Sequence, residues 1–218
     1  MACDNTKGCQ CQGEEQGKPI DVLEIFKQSG ALLQGHFRLT SGKHSAQYMQ
    51  CAQVLQYPHL AAQLGVELAK SWQEQGIKTV IGPAMGGIIV AHEVAKALGV
   101  RALFTERENG AMSLRRGFKL TPGEKVLIVE DVITTGGSVR EVLAVVQELG
   151  AIPVGVGVLV DRSGGRESFG VPLASLLQLT IEAFEPSECH LCAEEIPCIK
   201  PGSRTQSRCE ARCAMLEG

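Results

Sequence analysis

Four short apolar runs, spaced too widely to be hairpins, constrain this chain more than any other feature. Thr79-Val80-Ile81, Arg101 to Thr105, Val126-Leu127-Ile128-Val129 and Val154 to Val160 read as strands. Ile88 to Leu98 and Val139 to Leu149 show helical spacing and are ended by Gly99 and Gly150. Strands roughly 20 or more residues apart, with a helix between, are βαβ crossovers. The expected fold is therefore α/β, with a mostly parallel central sheet and flanking helices. The unbroken Val126–Val129 run fits a strand covered on both faces, and Leu173 to Leu179 reads as a fifth strand. Upstream, Val22, Leu23, Ile25 and Phe26 predict a short amphipathic helix that Gly30 ends. Leu60, Leu64, Leu68 and Trp72 predict a second helix, opened by Pro58 and closed by Gly76. Residues 31–54 have glycine punctuation and no helical period, which predicts turns and short strands.

In such a sheet, ligands bind beyond the carboxyl ends of the strands, so the loops there carry the chemistry. The richest spans Val126 to Ser138, VLIVEDVITTGGS. A buried strand delivers two adjacent carboxylates, Glu130 and Asp131. Thr134, Thr135, Gly136, Gly137 and Ser138 then lead into a helix. Glycines admit an anion to the main chain, where amides, hydroxyls and a helix N-terminus can hold a phosphate. The acids cannot serve that phosphate; they suit hydroxyls or developing positive charge. A second loop, Gly82-Pro83-Ala84-Met85-Gly86-Gly87, has the same close-approach character. In the third, Val160-Asp161-Arg162-Ser163-Gly164-Gly165, Arg162 presents a planar fork suited to a carboxylate, with Asp161 placed to hold it.

The first loop resembles the PRPP-binding signature of the type I phosphoribosyltransferases. The resemblance extends over roughly residues 22–204 and is to the orotate enzymes among them. It implies transfer of ribose 5-phosphate from PRPP to orotate, giving orotidine 5′-phosphate and pyrophosphate in pyrimidine biosynthesis. By the resemblance, Glu130 and Asp131 hold the ribose and are catalytic together with Arg107. The PRPP contacts are Glu130, Asp131, Val132, Ile133, Thr134, Thr135, Gly136, Gly137, Ser138, Met85 and Gly86. Orotate falls to Thr134, Arg162 and Tyr48. It also implies Mg2+ as cofactor and a homodimer. A small N-terminal hood would carry Phe37 to Ser45, with Lys43 as a pyrophosphate contact and Tyr48 as one stacking face. Met49 stands where the family has a second aromatic, and Thr40 where it has a basic residue. Residues 104–120, FTERENGAMSLRRGFKL, match the family's lid. The usual Arg-Lys pair is replaced by Glu106 and Arg107, and no Lys or His lies in 109–114. Arg115 and Arg116 are candidate replacement cations. A purine phosphoribosyltransferase and a PRPP-sensing regulatory module that does not turn over remain open alternatives.

Composition narrows the classes further. Hydrophobic residues at 44% and charged residues at 21% describe a globular chain, and the net charge of −3 lacks the basic excess of a duplex binder. No nucleic-acid or membrane partner is expected. No apolar run is long enough to span a bilayer, and the start has no apolar signal core, so the expected compartment is cytoplasmic. Walker, GxGxxG and GxSxG motifs are absent, and Lys96 replaces the second His of a zinc-protease motif at His92-Glu93.

Nine cysteines are the oddity, and only Cys51 lies within the span of the loops. Residues 1–18 read as a disordered Cys-rich extension, 19–186 as the phosphoribosyltransferase domain with its hood, and 187–218 as a Cys-rich C-terminal segment. Cys9-x-Cys11, Cys189-x-x-Cys192, Cys198 and Cys209-x-x-x-Cys213 have spacings a metal or redox site uses. Four ligands of one motif are not apparent, so reduced thiols and no metal-binding residue are the expectation.

Overall fold

The computed structural model describes residues 20–39 and 41–201. The Cys-rich extension, Thr40, Arg204, Cys209 and Cys213 lie outside the described residues. The chain opens with helix α1 (Val22–Gln28), capped by Asp21, whose carboxylate accepts from Glu24 N at 3.0 Å. Strands β1 (Leu32–Arg38) and β2 (His44–Met49) form a separate antiparallel pair, the predicted hood. Helices α2 (Ala52–Leu55) and α3 (Pro58–Ala69) follow, and a 3-10 turn carries α3 on to Trp72.

The main sheet is built from β3 (Thr79–Pro83), β4 (Arg101–Glu108), β5 (Ala111–Ser113), β6 (Lys125–Ile133), β7 (Ile152–Asp161) and β8 (Leu173–Gln178). Its order is β5-β4-β3-β6-β7-β8, parallel except for the β4–β5 hairpin. Helix α4 (Gly86–Leu98) joins β3 to β4, and α5 (Gly137–Glu148) joins β6 to β7. Side chains alternate across each strand. Leu127 and Val129 therefore pack with Leu64, Leu68, Val90 and Val94 on one face. Val126 and Ile128 pack with Val139, Val142 and Val146 on the other. This is why the Val126–Val129 run has no polar alternation. Two helix layers enclose it.

From β3 the chain moves first to β4 on one side, then crosses to β6 on the other. The loops after β3 and β6 thus leave in opposite directions and open a crevice between them.

The division drawn at residue 186 does not follow the packing. A 3-10 turn (Pro186–Glu188) and the short helix α6 (His190–Ala193) return to the hood. Ile199 N donates to His36 O and Arg38 N to Ile199 O, both at 2.8 Å, and His44 and Phe184 exchange two bonds of 2.8 Å. Cys189, Leu191 and Cys198 are buried there. No helical or β period in 186–201 announced this, because a segment docked by single bridges needs none.

Candidate active site

Towards the end of strand β6, Glu130 is buried and Asp131 half-buried. Two carboxylates side by side and out of water oppose each other's ionisation. Burial, then the Asp131 charge, push the Glu130 carboxyl well above its usual range. Burial also raises Asp131, against a bond from Val132 N at 2.8 Å that favours its charged form. Such a pair calls for hydroxyl donors or a cation.

Beyond it the chain turns through Gly136 at φ +65° into α5. A Cβ at Gly136 would lie 2.6 Å from the Phe169 ring, so glycine is required by conformation and by space. Arg140, one turn into α5, donates to Thr135 O at 2.6 Å, pairs with Glu167, and lies 5.0 Å from the centre of the Phe169 ring. It staples the loop. Sequence reasoning missed it, although it stands one helical turn after the loop glycine.

The loop encloses a cavity of about 310 Å3 lined by Glu130, Val132, Ile133, Thr134, Thr135, Gly136, Gly137, Ser138 and Arg107, together with Val139 and Glu141. Nine predicted residues meet here. The Arg107 guanidinium is engaged already: it donates to Glu141 Oε1 and to Gly110 O, both at 2.9 Å. Glu141 was not anticipated, since no spacing links β4 to the middle of α5.

Asp131, Met85, Gly86, Arg162 and Tyr48 do not line that cavity. A Cβ on Gly86 would come within 2.3 Å of Asp131 Oδ2, and one on Gly87 within 3.2 Å of Glu130 Oε1. Gly86 is therefore needed to admit the Asp131 carboxylate, whereas a Cβ on Gly87 would meet Pro83 Cδ first, at 2.7 Å. Met85 is 83% exposed at the head of α4. Cys51 Sγ contacts Asp131 O at 3.8 Å, and burial pushes its thiol far up, keeping it protonated. Burial lowers the Arg162 guanidinium from its usual range, opposed by the nearby Cys51 and Tyr48. Arg162 Nε is buried without a hydrogen-bond partner among the described residues, a donor held ready for an acceptor. Phe37 stands beside Tyr48, with ring centres 5.8 Å apart.

Some expected roles are revised. Asp161 does not hold Arg162; its carboxylate accepts from Ser163 N at 2.7 Å, turning the chain after β7. Arg115 and Arg116 are not spare cations. Arg116 binds Glu106 through bonds of 2.8 and 2.9 Å, and Arg115 reaches Glu108 at 3.1 Å. Lys43 pairs with Glu185 at 2.8 Å. Among the described residues, His36, His44, Cys189 and Cys192 converge in the hood.

Residues 52–169 match the phosphoribosyl transferase domain family. A relative from Desulforamulus reducens, named orotate phosphoribosyltransferase, is 61% identical over 84% of this chain and 96% of its own length. The solved orotate phosphoribosyltransferase of Aeropyrum pernix is similar with a TM-score of 0.58 and 28% identity, over 72% of this chain and 93% of that one. An adenine phosphoribosyltransferase from Rhodothermus marinus is similar at a TM-score of 0.56 and 25% identity, over 72% and 98%. Fold likeness is thus shared by enzymes named for both bases, and the Desulforamulus relative is named for orotate.

Proposed function

The chain belongs to the phosphoribosyltransferase family, and from that premise we propose that it transfers the ribose 5-phosphate of PRPP to N1 of orotate. The N1–C1 bond forms as the C1–O bond to pyrophosphate breaks. Pyrophosphate departs with the bonding pair, and orotate gives up its N1 proton. The product is orotidine 5′-phosphate, a precursor of the pyrimidine nucleotides.

The chemistry is positional and electrostatic. Backbone amides of 135–138 and the hydroxyls of Thr134, Thr135 and Ser138 suit the 5-phosphate at the N-terminus of α5. Glu130 and Asp131 accept from the ribose hydroxyls and face the positive charge that develops at C1. Gly86 and Gly87 bring main-chain donors beside them for the pyrophosphate, with Met85 at the rim. Arg107 adds a cation from the hairpin once it exchanges Glu141 for substrate. Tyr48 supplies a ring face and Thr134 a polar contact for the pyrimidine.

Mg2+ fits this donor set, since two crowded carboxylates are hard oxygen ligands whose mutual repulsion a divalent cation relieves. When bound with PRPP, it neutralises charge on the departing pyrophosphate. A homodimer and a cytoplasmic setting accompany this reading. No helix among the described residues is long and apolar enough to cross a membrane.

One observation carries the choice of base: the Arg162 Nε beside Tyr48, buried and without a partner among the described residues. A purine offers no carboxylate to satisfy it. The test is PRPP-dependent turnover with orotate, uracil, adenine and hypoxanthine offered separately. Orotate alone is expected to react. Turnover of a purine in its place would overturn the substrate, and PRPP binding with no turnover would make the protein a sensor.

A further inference from the structure

The hood hairpin and the returning C-terminal segment bury four metal-ligand atoms together, far from the acid pair in sequence and in chemistry. His36 lies on β1, His44 on β2, and Cys189 and Cys192 at the start and middle of α6. Their donor atoms all fall within 4.8 Å of one another. His36 Nε2 is 2.8 Å from His44 Nδ1, 3.6 Å from Cys189 Sγ and 3.7 Å from Cys192 Sγ. Cys192 Sγ is 3.2 Å from His44 Nδ1.

Ordinary hydrogen bonding does not account for this convergence. His36 Nδ1 lies 2.7 Å from Ile196 O, and a carbonyl can only accept, so the proton sits on Nδ1. In the neutral ring Nε2 then carries a lone pair, and one lone pair cannot serve an imidazole and two sulfurs at once. A cation at the centre can take all four. The contact to Ile196 O is also the outer bond that orients a ligating histidine. His44 has a counterpart: Cys198 Sγ lies 3.9 Å from Nε2, on the side of the ring away from the cluster. Tetrahedral zinc, with Zn–N of about 2.0–2.1 Å and Zn–S of about 2.3 Å, sets N···S edges near 3.6 Å. The N···S separations here bracket that value. The two imidazole nitrogens would part by about half an ångström to reach the corresponding N···N edge.

We propose that His36 Nε2, His44 Nδ1, Cys189 Sγ and Cys192 Sγ form a structural zinc site that fastens the C-terminal segment to the hood. Four protein ligands close the coordination sphere, so the ion holds structure and does no chemistry. Two imidazoles with two thiolates suit zinc better than the oxygen-seeking Mg2+ of the crevice. The two-stranded hood is too small to be stable by itself, and Phe37 and Tyr48 stand on the same two strands as His36 and His44.

The test is metal content of the full chain, purified without chelator. About one zinc per chain is expected, falling to near zero in Cys189→Ser/Cys192→Ser. It is expected to persist in Cys9→Ser/Cys11→Ser and in Cys209→Ser/Cys213→Ser. Zinc near zero in the native chain, or lost with either terminal pair but kept without Cys189 and Cys192, overturns the site. Should the double variant fail to fold, cobalt exchanged into the native chain decides. Intense visible bands with thiolate-to-cobalt charge transfer support a tetrahedral sulfur-bearing site, and the pale spectrum of an octahedral oxygen site overturns it. These readings do not use catalysis, so they stand or fall apart from the substrate assignment.

Discussion

Single residues divide the labour at the crevice. Arg162 is the cleanest to isolate, because its buried Nε lacks a partner among the described residues. Arg162→Ala should remove a charge-assisted contact of about 1.5–3 kcal/mol, raising KM for orotate roughly ten- to hundredfold. KM for PRPP should stay within about twofold; equal weakening of both would remove the assigned role. Glu130 makes a prediction of opposite sign for stability and activity. Its folded pKa lies above the ordinary 4.5, so the native state holds a proton that the unfolded chain releases. Stability therefore falls as pH rises above that value. Glu130→Gln carries no such charge, and its melting temperature should exceed that of the parent by a margin that widens between about pH 5 and 8. Activity should fall at least about a hundredfold. A margin that stays flat with pH would show that the carboxylate is ionised at no cost, and one that shrinks would show that the fold favours its charged form. The acid pair and Arg162 were legible in the sequence, since strand-end position and side-chain chemistry are local. The partners of Asp161, Arg115 and Arg116 were not, because ion pairing across loops depends on tertiary approach.

Elements add constraints that residues alone do not show. The turn from β6 into α5 works only with a left-handed Gly136 pressed against Phe169. Gly136→Ala should destabilise by about 1–2 kcal/mol from backbone conformation alone. It should also raise KM for PRPP several-fold, measured by initial rates, while leaving KM for orotate nearly unchanged. The β4–β5 hairpin is tied to α5 through Arg107 and Glu141, both substantially exposed. Such a pair contributes little to stability, about 0–1 kcal/mol, yet it occupies a cation that lines the cavity proposed to take PRPP. Glu141→Gln should leave the melting temperature within about 2 °C and lower KM for PRPP. A raised KM would instead mean that Glu141 aims Arg107 at its target. The hairpin's Asn109-Gly110 turn, with both residues at positive φ, is a strong local signal. The Arg107–Glu141 tie is carried by no such pattern.

At the scale of the whole molecule, the parallel sheet and its helices followed from periodicity, because two covered faces demand unbroken apolar strands. Gly155 and Gly157 on β7 show how closely the layers meet. A Cβ at Gly155 would lie 2.2 Å from the Trp72 ring and 3.0 Å from Pro172 O. Gly155→Ala should overpack this contact and destabilise by about 1–3 kcal/mol, a drop of roughly 2–12 °C in melting temperature. An unchanged transition would mean that Trp72 has room to move. What periodicity did not reveal is the return of residues 184–199 to the hood, since it rests on single backbone bridges and side-chain contacts between residues far apart in the chain. That return has a consequence for the order in which the protein is made. His36 and Cys189 are separated by 153 positions, so at about 5–20 residues per second the hairpin leaves the ribosome roughly 8–30 s before its partner segment. The sheet can assemble on the nascent chain during that interval. The hood is finished last, although its strands are translated first.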